Sequence, residues 1–436
     1  MLLLMRSKVC SILLLATMLL VCPTDVQAQF WKKWFDKEEK KPVRRPPVPP
    51  KKATETTTRT KAKKKESIEY PETQLRERYR IDVLVPLYLD ELVKNNKPTF
   101  KDKVPEKASA GLSFYEGIKL AADSLSALGY NIDVYVHDIT QQDLSPEAMI
   151  KSDMLEETDL IIGALQSNQL QAIASFAKKS NVNFISALSP SDADIKENPF
   201  FTMLQPTLKT HCERLKAAAL QKHSPANFLL FFRTTNPTDS QAYSYVIADD
   251  EKTFTKVLCN KMPVPGQLDK LLDSTKKNVI IMPIVDASYA ESLLQHLYNS
   301  YSGYQFEVFG MPTWKFIPSL RKADAYPNVG VSFTSPFYYD PTTPAGKALL
   351  YSYKREFGGR PAEMTFRGYE LLFWYASLLR KYGTVFNPRM SDRNNILFTK
   401  FDIKPQWSRQ QELLYNENEH IYLYRYQSGS YLVEQE

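Results

Sequence analysis

Cysteine is scarce in this 436-residue chain, with four in all. Cys10 and Cys22 fall in an apolar N-terminal stretch, so only Cys212 and Cys259 remain for a folded body. No two Cys or His residues stand at zinc-ligand spacing, which argues against a zinc site. Gly-x-Ser-x-Gly, His-Glu-x-x-His and phosphate-loop motifs are missing. The five histidines, His137, His211, His223, His296 and His420, form no recognisable arrangement with a nucleophile. His137 and Asp138 are neighbours on an expected strand, so their side chains point to opposite faces. These absences argue against an enzyme and imply no cofactor or metal. Ile12 to Cys22 is an apolar stretch of 11 residues, against the roughly 20 needed to cross a bilayer as a helix.

What stands at the N-terminus reads as a secretory signal. Arg6 and Lys8 precede the apolar stretch, and Val26-Gln27-Ala28 fits a small-residue cleavage site. Residues 1–28 are therefore expected to be a signal peptide, with a periplasmic mature chain. Lipid anchoring at Cys22 is disfavoured because Val21 stands where a bacterial lipobox wants Gly, Ala or Ser. An oxidising compartment permits a Cys212–Cys259 disulfide, and two buried free thiols are the other reading.

The formal net charge of +7 is unevenly placed. Residues 31–66 carry 14 Lys/Arg against 5 Asp/Glu, residues 1–30 contribute +1, and the remaining chain is left with −3. A slightly acidic body removes the main electrostatic support for nucleic-acid binding. The tail also holds Pro42, Pro46, Pro47, Pro49 and Pro50 among Lys and Thr, a composition that favours extended, unpacked chain. Residues 29–78 are expected to be a disordered basic linker. At its start, Phe30-Trp31-Lys32-Lys33-Trp34-Phe35 suits either contact with an anionic membrane or wall surface or a sticky free end.

From residue 79 strands and helices alternate. Arg80–Leu87, Ile132–His137, Asp159–Gly163 and Val182–Ser186 read as strands. Helical spacing appears at Leu112, Tyr115, Ile118, Ala121, Leu125 and Leu128, with helices also near 146–156 and 169–180. A second round starts near residue 206. It has helices at 207–222, 238–250, 265–274 and 287–301, and strands at 227–232, 254–258, 279–283, 307–310 and 329–334. Helices at 344–357 and 367–382 follow, then strands Ile421–Tyr426 and Tyr431–Val433. Two βαβ rounds imply an α/β protein with two doubly wound parallel sheets.

Four stretches carry a family resemblance. They are Phe114–Asp123 with Asp138 after the next strand, Ile161-Ile162-Gly163-Ala164-Leu165-Gln166-Ser167, Asn183–Pro190, and Tyr353, Gly358, Pro361 and Tyr369 at late-helix spacing. In order and spacing, residues 80–430 resemble type I periplasmic binding proteins of the leucine/isoleucine/valine-binding group. The usual Pro after the glycine is here Ala164. The resemblance implies two lobes, residues 79–205 plus 333–383 and residues 206–332 plus 384–436. Three crossovers near 205, 332 and 383 would hinge them about a ligand cleft.

In open α/β sheets ligands sit beyond the carboxyl ends of strands. That rule selects Tyr88, Asp90, Ser167, Ser186 and Ser189 on the first lobe and Thr235, Asp286 and Trp314 on the second. By resemblance, Ser167 and the Ser186–Ser189 loop match positions that hold an amino acid's carboxylate. The other reading of these serines is helix capping, and that of Trp314 is ordinary packing. The resemblance also asks for an acid after a second-lobe strand to pair the ligand's ammonium. Met311-Pro312-Thr313-Trp314 supplies none, leaving Asp286 as the nearest substitute.

The expected function is thus an exported receptor for an amino acid, peptide or wall fragment, working with a membrane permease or as a sensor. The same fold also resembles the carboxyl-terminal part of outer-membrane activators of penicillin-binding proteins. That implies the alternative of an envelope scaffold contacting a peptidoglycan synthase.

Overall fold

The computed structural model describes residues 68–101, 103–223, 225–248, 252–390, 392 and 396–434. The expected signal peptide, Cys22 and the basic 31–66 tail lie outside the described residues. Residues 68–78, assigned above to the linker, instead run along the first lobe. Tyr70 sets its ring edge-on to Phe200 at 6.2 Å, Gln74 N–H donates to Thr384 Oγ1 at 3.1 Å, and Arg76 pairs with Asp159 at 2.9 Å. These partners lie far along the chain and leave no local periodicity to read.

The first lobe starts with β1 (Tyr79–Val85), whose Ile81, Val83, Leu84 and Val85 are fully buried. A strand covered on both faces can be apolar at consecutive positions, as parallel sheets require. Each such burial is worth about 1.5–3 kcal/mol. Helix α1 (Glu106–Ala127), β2 (Ile132–Asp138), α2 (Pro146–Lys151), β3 (Leu160–Gly163), α3 (Ser167–Ser180), β4 (Asn183–Ser186) and β5 (Phe201–Met203) follow. Helix α2 is shorter than expected, and Asp153 turns the chain with φ 56°.

The second lobe contains α4 (Leu208–His223), β6 (Asn227–Phe232), α5 (Pro237–Ile247), β7 (Thr255–Leu258), β8 (Asn278–Ile281), α6 (Ala287–Ser300), β9 (Phe306–Gly310) and β10 (Val329–Ser335). No helix forms at 265–274. Pro265 and Gly266, the latter at φ +83°, open a run of turns that buries Leu268, whose N–H donates to Tyr301 Oη at 3.1 Å.

The chain then returns to the first lobe in α7 (Pro344–Glu356) and α8 (Glu363–Tyr382). It stays there longer than the sequence indicated. Strands β11 (Ile403–Trp407) and β12 (Leu413–Asn418) extend the first sheet before β13 (Tyr422–Gln427) and β14 (Ser430–Val433) join the second. The first sheet runs β11-β12-β5-β4-β3-β1-β2 and the second β14-β13-β10-β9-β8-β6-β7.

The third crossover is therefore at 419–421, not near 383. Contacts distant in sequence hold segment 384–418 to the first lobe. Phe401 stacks on Trp374 at 4.7 Å, Tyr415 meets Phe201 at 5.9 Å, and Asn387 donates to Asn183 Oδ1 at 2.7 Å.

Helices α1 and α8 touch backbone to backbone. A Cβ on Gly117 would lie 2.0 Å from the Thr365 carbonyl oxygen, and one on Gly368 would lie 2.1 Å from that of Phe114. Among the described residues, no helix is long and apolar enough to cross a membrane.

Candidate functional site

At the first lobe's strand ends, Asp138 organises the loop after β1. Its carboxylate accepts N–H groups from Leu87 at 2.8 Å and Leu89 at 2.8 Å and the Thr140 hydroxyl at 2.7 Å. Burial alone would raise its pKa, but these donors outweigh burial and hold it below the ordinary carboxylate range. The loop places Tyr88 at φ 57°, with its ring half-buried beneath Lys107 Nζ at 4.9 Å. Asp90 is exposed, with Gln141 Nε2 3.5 Å away.

The serines separate into two environments. Gln166, not Ser167, caps α3, exchanging hydrogen bonds with Gln169 in a capping box. Ser167 is left exposed at the helix start with its hydroxyl 3.4 Å from that of Ser189. Ser189 also accepts the Ser191 N–H at 3.3 Å. Ser186 is fully buried within its strand, and its hydroxyl has no protein partner. The fold thus brings two of the three serines together and leaves the third inside.

On the second lobe the dominant feature is Arg233, one residue beyond β6. Its Nε donates to Asp239 at 2.7 Å, its terminal nitrogens lie 3.4 Å from Asp286, and its guanidinium stands 4.4 Å from the Tyr289 ring centre. Burial would lower the Arg233 pKa, but hydrogen bonds and charge pairing with Asp239 and Asp286 together outweigh it and raise the value. Asp239 Oδ1 also accepts the Val285 N–H at 2.8 Å. Asp286 caps α6 through the Tyr289 N–H at 3.1 Å. The expected ammonium partner is therefore already engaged by a cation and a cap. Arg233 against two carboxylates still leaves the cluster one negative charge.

Thr235 is exposed beside Asn260. Trp314 is fully buried, donates from Nε1 to the Ile284 carbonyl at 2.9 Å, and packs where a Cβ on Gly310 would lie 2.3 Å from its ring. It belongs to the second lobe's core and not to a cleft wall. Cys212 and Cys259 are buried free thiols in that same core.

Sequence reasoning missed the residues at the lobe junction. Lys315, from the turn after β9, donates to both carboxylate oxygens of Glu363, the first residue of α8. Arg367 is buried, donates through Nη2 to the Ala187 carbonyl at 3.0 Å, and stacks on Phe337 of the second crossover. Its Nε and Nη1 have no protein partner. Desolvation lowers its pKa to about 9. Glu370, one turn along α8, is pushed up to about 7 by burial despite accepting from Thr399.

Two cavities flank the crossovers. One of about 570 Å³ lies where the β10–β13–β14 edge meets residues 335–341 and Glu363. The other, about 480 Å³, includes Asp192, Tyr245, Trp407 and Glu417, drawing on both lobes. None of the eight sequence-selected residues lines either cavity. The aromatic run Phe337-Tyr338-Tyr339 and the alternating tyrosines of 422–426 were the available signals.

The sequence matches no family model and no curated protein. Solved structures do resemble the fold. A provisionally named branched-chain amino acid ABC transporter from Rhodospirillum rubrum superposes with TM-score 0.59 at 11% identity, covering 82% of this chain and 99% of that one. An ABC transporter substrate-binding protein from Desulfitobacterium hafniense, in complex with Leu, gives 0.51 at 15% identity, covering 82% and 100%. Full-length LpoA from Haemophilus influenzae gives 0.53 at 13% identity, covering 84% of this chain and 60% of LpoA. At such identities the likeness concerns fold, and the fold is that of type I periplasmic binding proteins.

Proposed function

We propose that this chain is an exported receptor that binds a small amino-acid- or peptide-like ligand between its lobes and performs no chemistry on it. The observation that carries this reading is the Ser167–Ser189 pair. Its two hydroxyls are 3.4 Å apart at adjacent strand ends, and Ser167 begins a 14-residue helix whose cap is supplied by Gln166. Helix-start N–H groups and the exposed Ser167 hydroxyl, whose bond to Ser189 is long, suit a carboxylate. The lobes would close over it and deliver it to a membrane permease or a sensor.

A second reading is an envelope scaffold that engages a peptidoglycan synthase. The likeness to LpoA supports it, as does the basic, proline-rich stretch 31–66. Extended at about 3 Å per residue, such a stretch reaches on the order of 100 Å.

The experiment is a thermal-shift and calorimetric panel of amino acids, short peptides and wall fragments against the chain from Gln29. The receptor reading expects a saturable ligand whose affinity falls about tenfold in Ser167→Ala and Ser189→Ala, the loss of roughly one hydrogen bond to a charged group. A panel without effect, together with recovery of a wall synthase on the folded lobes, would overturn it in favour of the scaffold.

A further inference from the structure

The cavity of about 570 Å³ at the second crossover is separate from the serine pair, since neither Ser167 nor Ser189 lines it. Its size falls within the range of small-ligand pockets, roughly 300–1,000 Å³. Aromatic rings form much of its wall, and two of their hydroxyls already have partners. Tyr424 donates its hydroxyl to the Phe337 carbonyl at 3.2 Å, and Tyr431 donates to the Lys315 carbonyl at 2.9 Å. At these two residues the cavity meets ring surface and not an open hydroxyl.

The charges around it are unevenly engaged. Glu363 holds Lys315 through two hydrogen bonds of 3.1 and 2.9 Å. Asp340 accepts the Thr342 N–H at 2.7 Å and the Thr342 hydroxyl at 2.6 Å. Arg321 lines the same cavity, is exposed, and takes part in no ion pair among the described residues, its side chain bonding only to the neutral phenol of Tyr431. Glu363 is thus paired with a cation and Asp340 is held by neutral donors with Lys347 acting at longer range, while Arg321 has no acid partner among the described residues. Phe316 completes the mouth with a ring that is 61% exposed.

We infer that this cavity is a second ligand site, one that takes a short peptide with a ring side chain and a free carboxylate. The ring lies against the Phe/Tyr wall, where aromatic pairs gain beyond simple area burial. The carboxylate meets the guanidinium of Arg321, whose planar fork matches it.

The test uses the chain from Gln29 with three probes, measured by calorimetry. They are phenylalanyl-phenylalanine, its C-terminal amide, and triglycine. The dipeptide should bind, the amide at least tenfold more weakly, and triglycine not detectably. Arg321→Gln should abolish the difference between acid and amide. Phe316→Ala, an exposed change, should weaken both ring-bearing probes several-fold. The preference for acid over amide should persist in Ser167→Ala, since Ser167 does not line this cavity.

Equal affinity for acid and amide in the unaltered protein, or an unchanged preference in Arg321→Gln, would overturn the assignment. Loss of dipeptide binding in Ser167→Ala alone would also overturn it, moving the ligand to the serine pair and leaving the receptor reading intact. No binding of any probe ends this proposal, while the receptor reading then stands or falls on its own wider panel.

Discussion

Lys315 Nζ lies 2.9 and 3.1 Å from the two carboxylate oxygens of Glu363, joining the turn after the second lobe's β9 to the first residue of the first lobe's α8. Both side chains are about one-third exposed. Solvent screening therefore holds the pair to at most about 1 kcal/mol. Under the receptor proposal the lobes hinge apart, and a tie of this size would bias that motion without preventing it. Lys315→Met should change the unfolding free energy by less than about 1 kcal/mol. It should also shift the interlobe distance, read by small-angle scattering or paired spin labels, toward the open form. Added salt should do the same to the unaltered protein, because the pair is partly exposed.

His211 is the clearest acid-sensitive group. It is fully buried in α4, with Nδ1 2.9 Å from Thr334 Oγ1 and Nε2 without a protein partner. Desolvation depresses its pKa to about 3. Unfolding restores an ordinary value near 6.5. Below pH 6.5 the unfolded chain therefore takes a proton that the folded chain refuses. The stability is fully present above that pH and is lost as pH falls towards 3. Between pH 6.5 and 5 the loss is about 2 kcal/mol. Urea unfolding of the protein and of His211→Gln at both pH values should show that much less acid sensitivity in the variant. Taking the difference separates His211 from Glu370, whose raised value acts in the opposite direction.

The α1–α8 contact has no room for a methyl group. Gly117→Ala would place Cβ 2.0 Å from the Thr365 carbonyl oxygen and 2.7 Å from the Tyr369 nitrogen, both backbone atoms. The helices would have to separate, costing about 1–3 kcal/mol or more. Gly303→Ala is the control, since nothing lies within 4 Å of its Cβ. The urea midpoint should fall clearly for the first substitution and stay near the original for the second.

Cys212 and Cys259 should be silent thiols. Burial pushes both to about 12, so almost no thiolate exists at neutral pH. A chain starting at Gln29 should react with no thiol reagent when folded and with two equivalents when unfolded. Zero equivalents in denaturant, with a mass lower by two hydrogens, would instead establish a bond between them.

The alternation of strands and helices was readable because each element carries its own period, 2 or 3.6 residues, in its apolar positions. Apolar runs such as Val83–Val85 and Leu160–Ile162 needed no partner to be recognised as buried strands. The same local logic placed Ser167 and Ser189 at strand ends, where the fold brings them together. It failed where the deciding contact was remote. Strands β11 and β12 look unremarkable locally, yet Phe401 on Trp374 and Tyr415 on Phe201 hold their segment to the first lobe.

By itself the sequence determined two α/β bodies, the uneven charge and the lack of any recognisable catalytic motif, because composition and periodicity are properties of neighbouring residues. Only tertiary structure decided that Asp286 answers to Arg233, that Trp314 is core, and that an aromatic cavity opens at the second crossover. Those outcomes depend on which side chains meet across tens to hundreds of residues. A charge or ring acquires its role from the partner it finds there, not from its position in the chain.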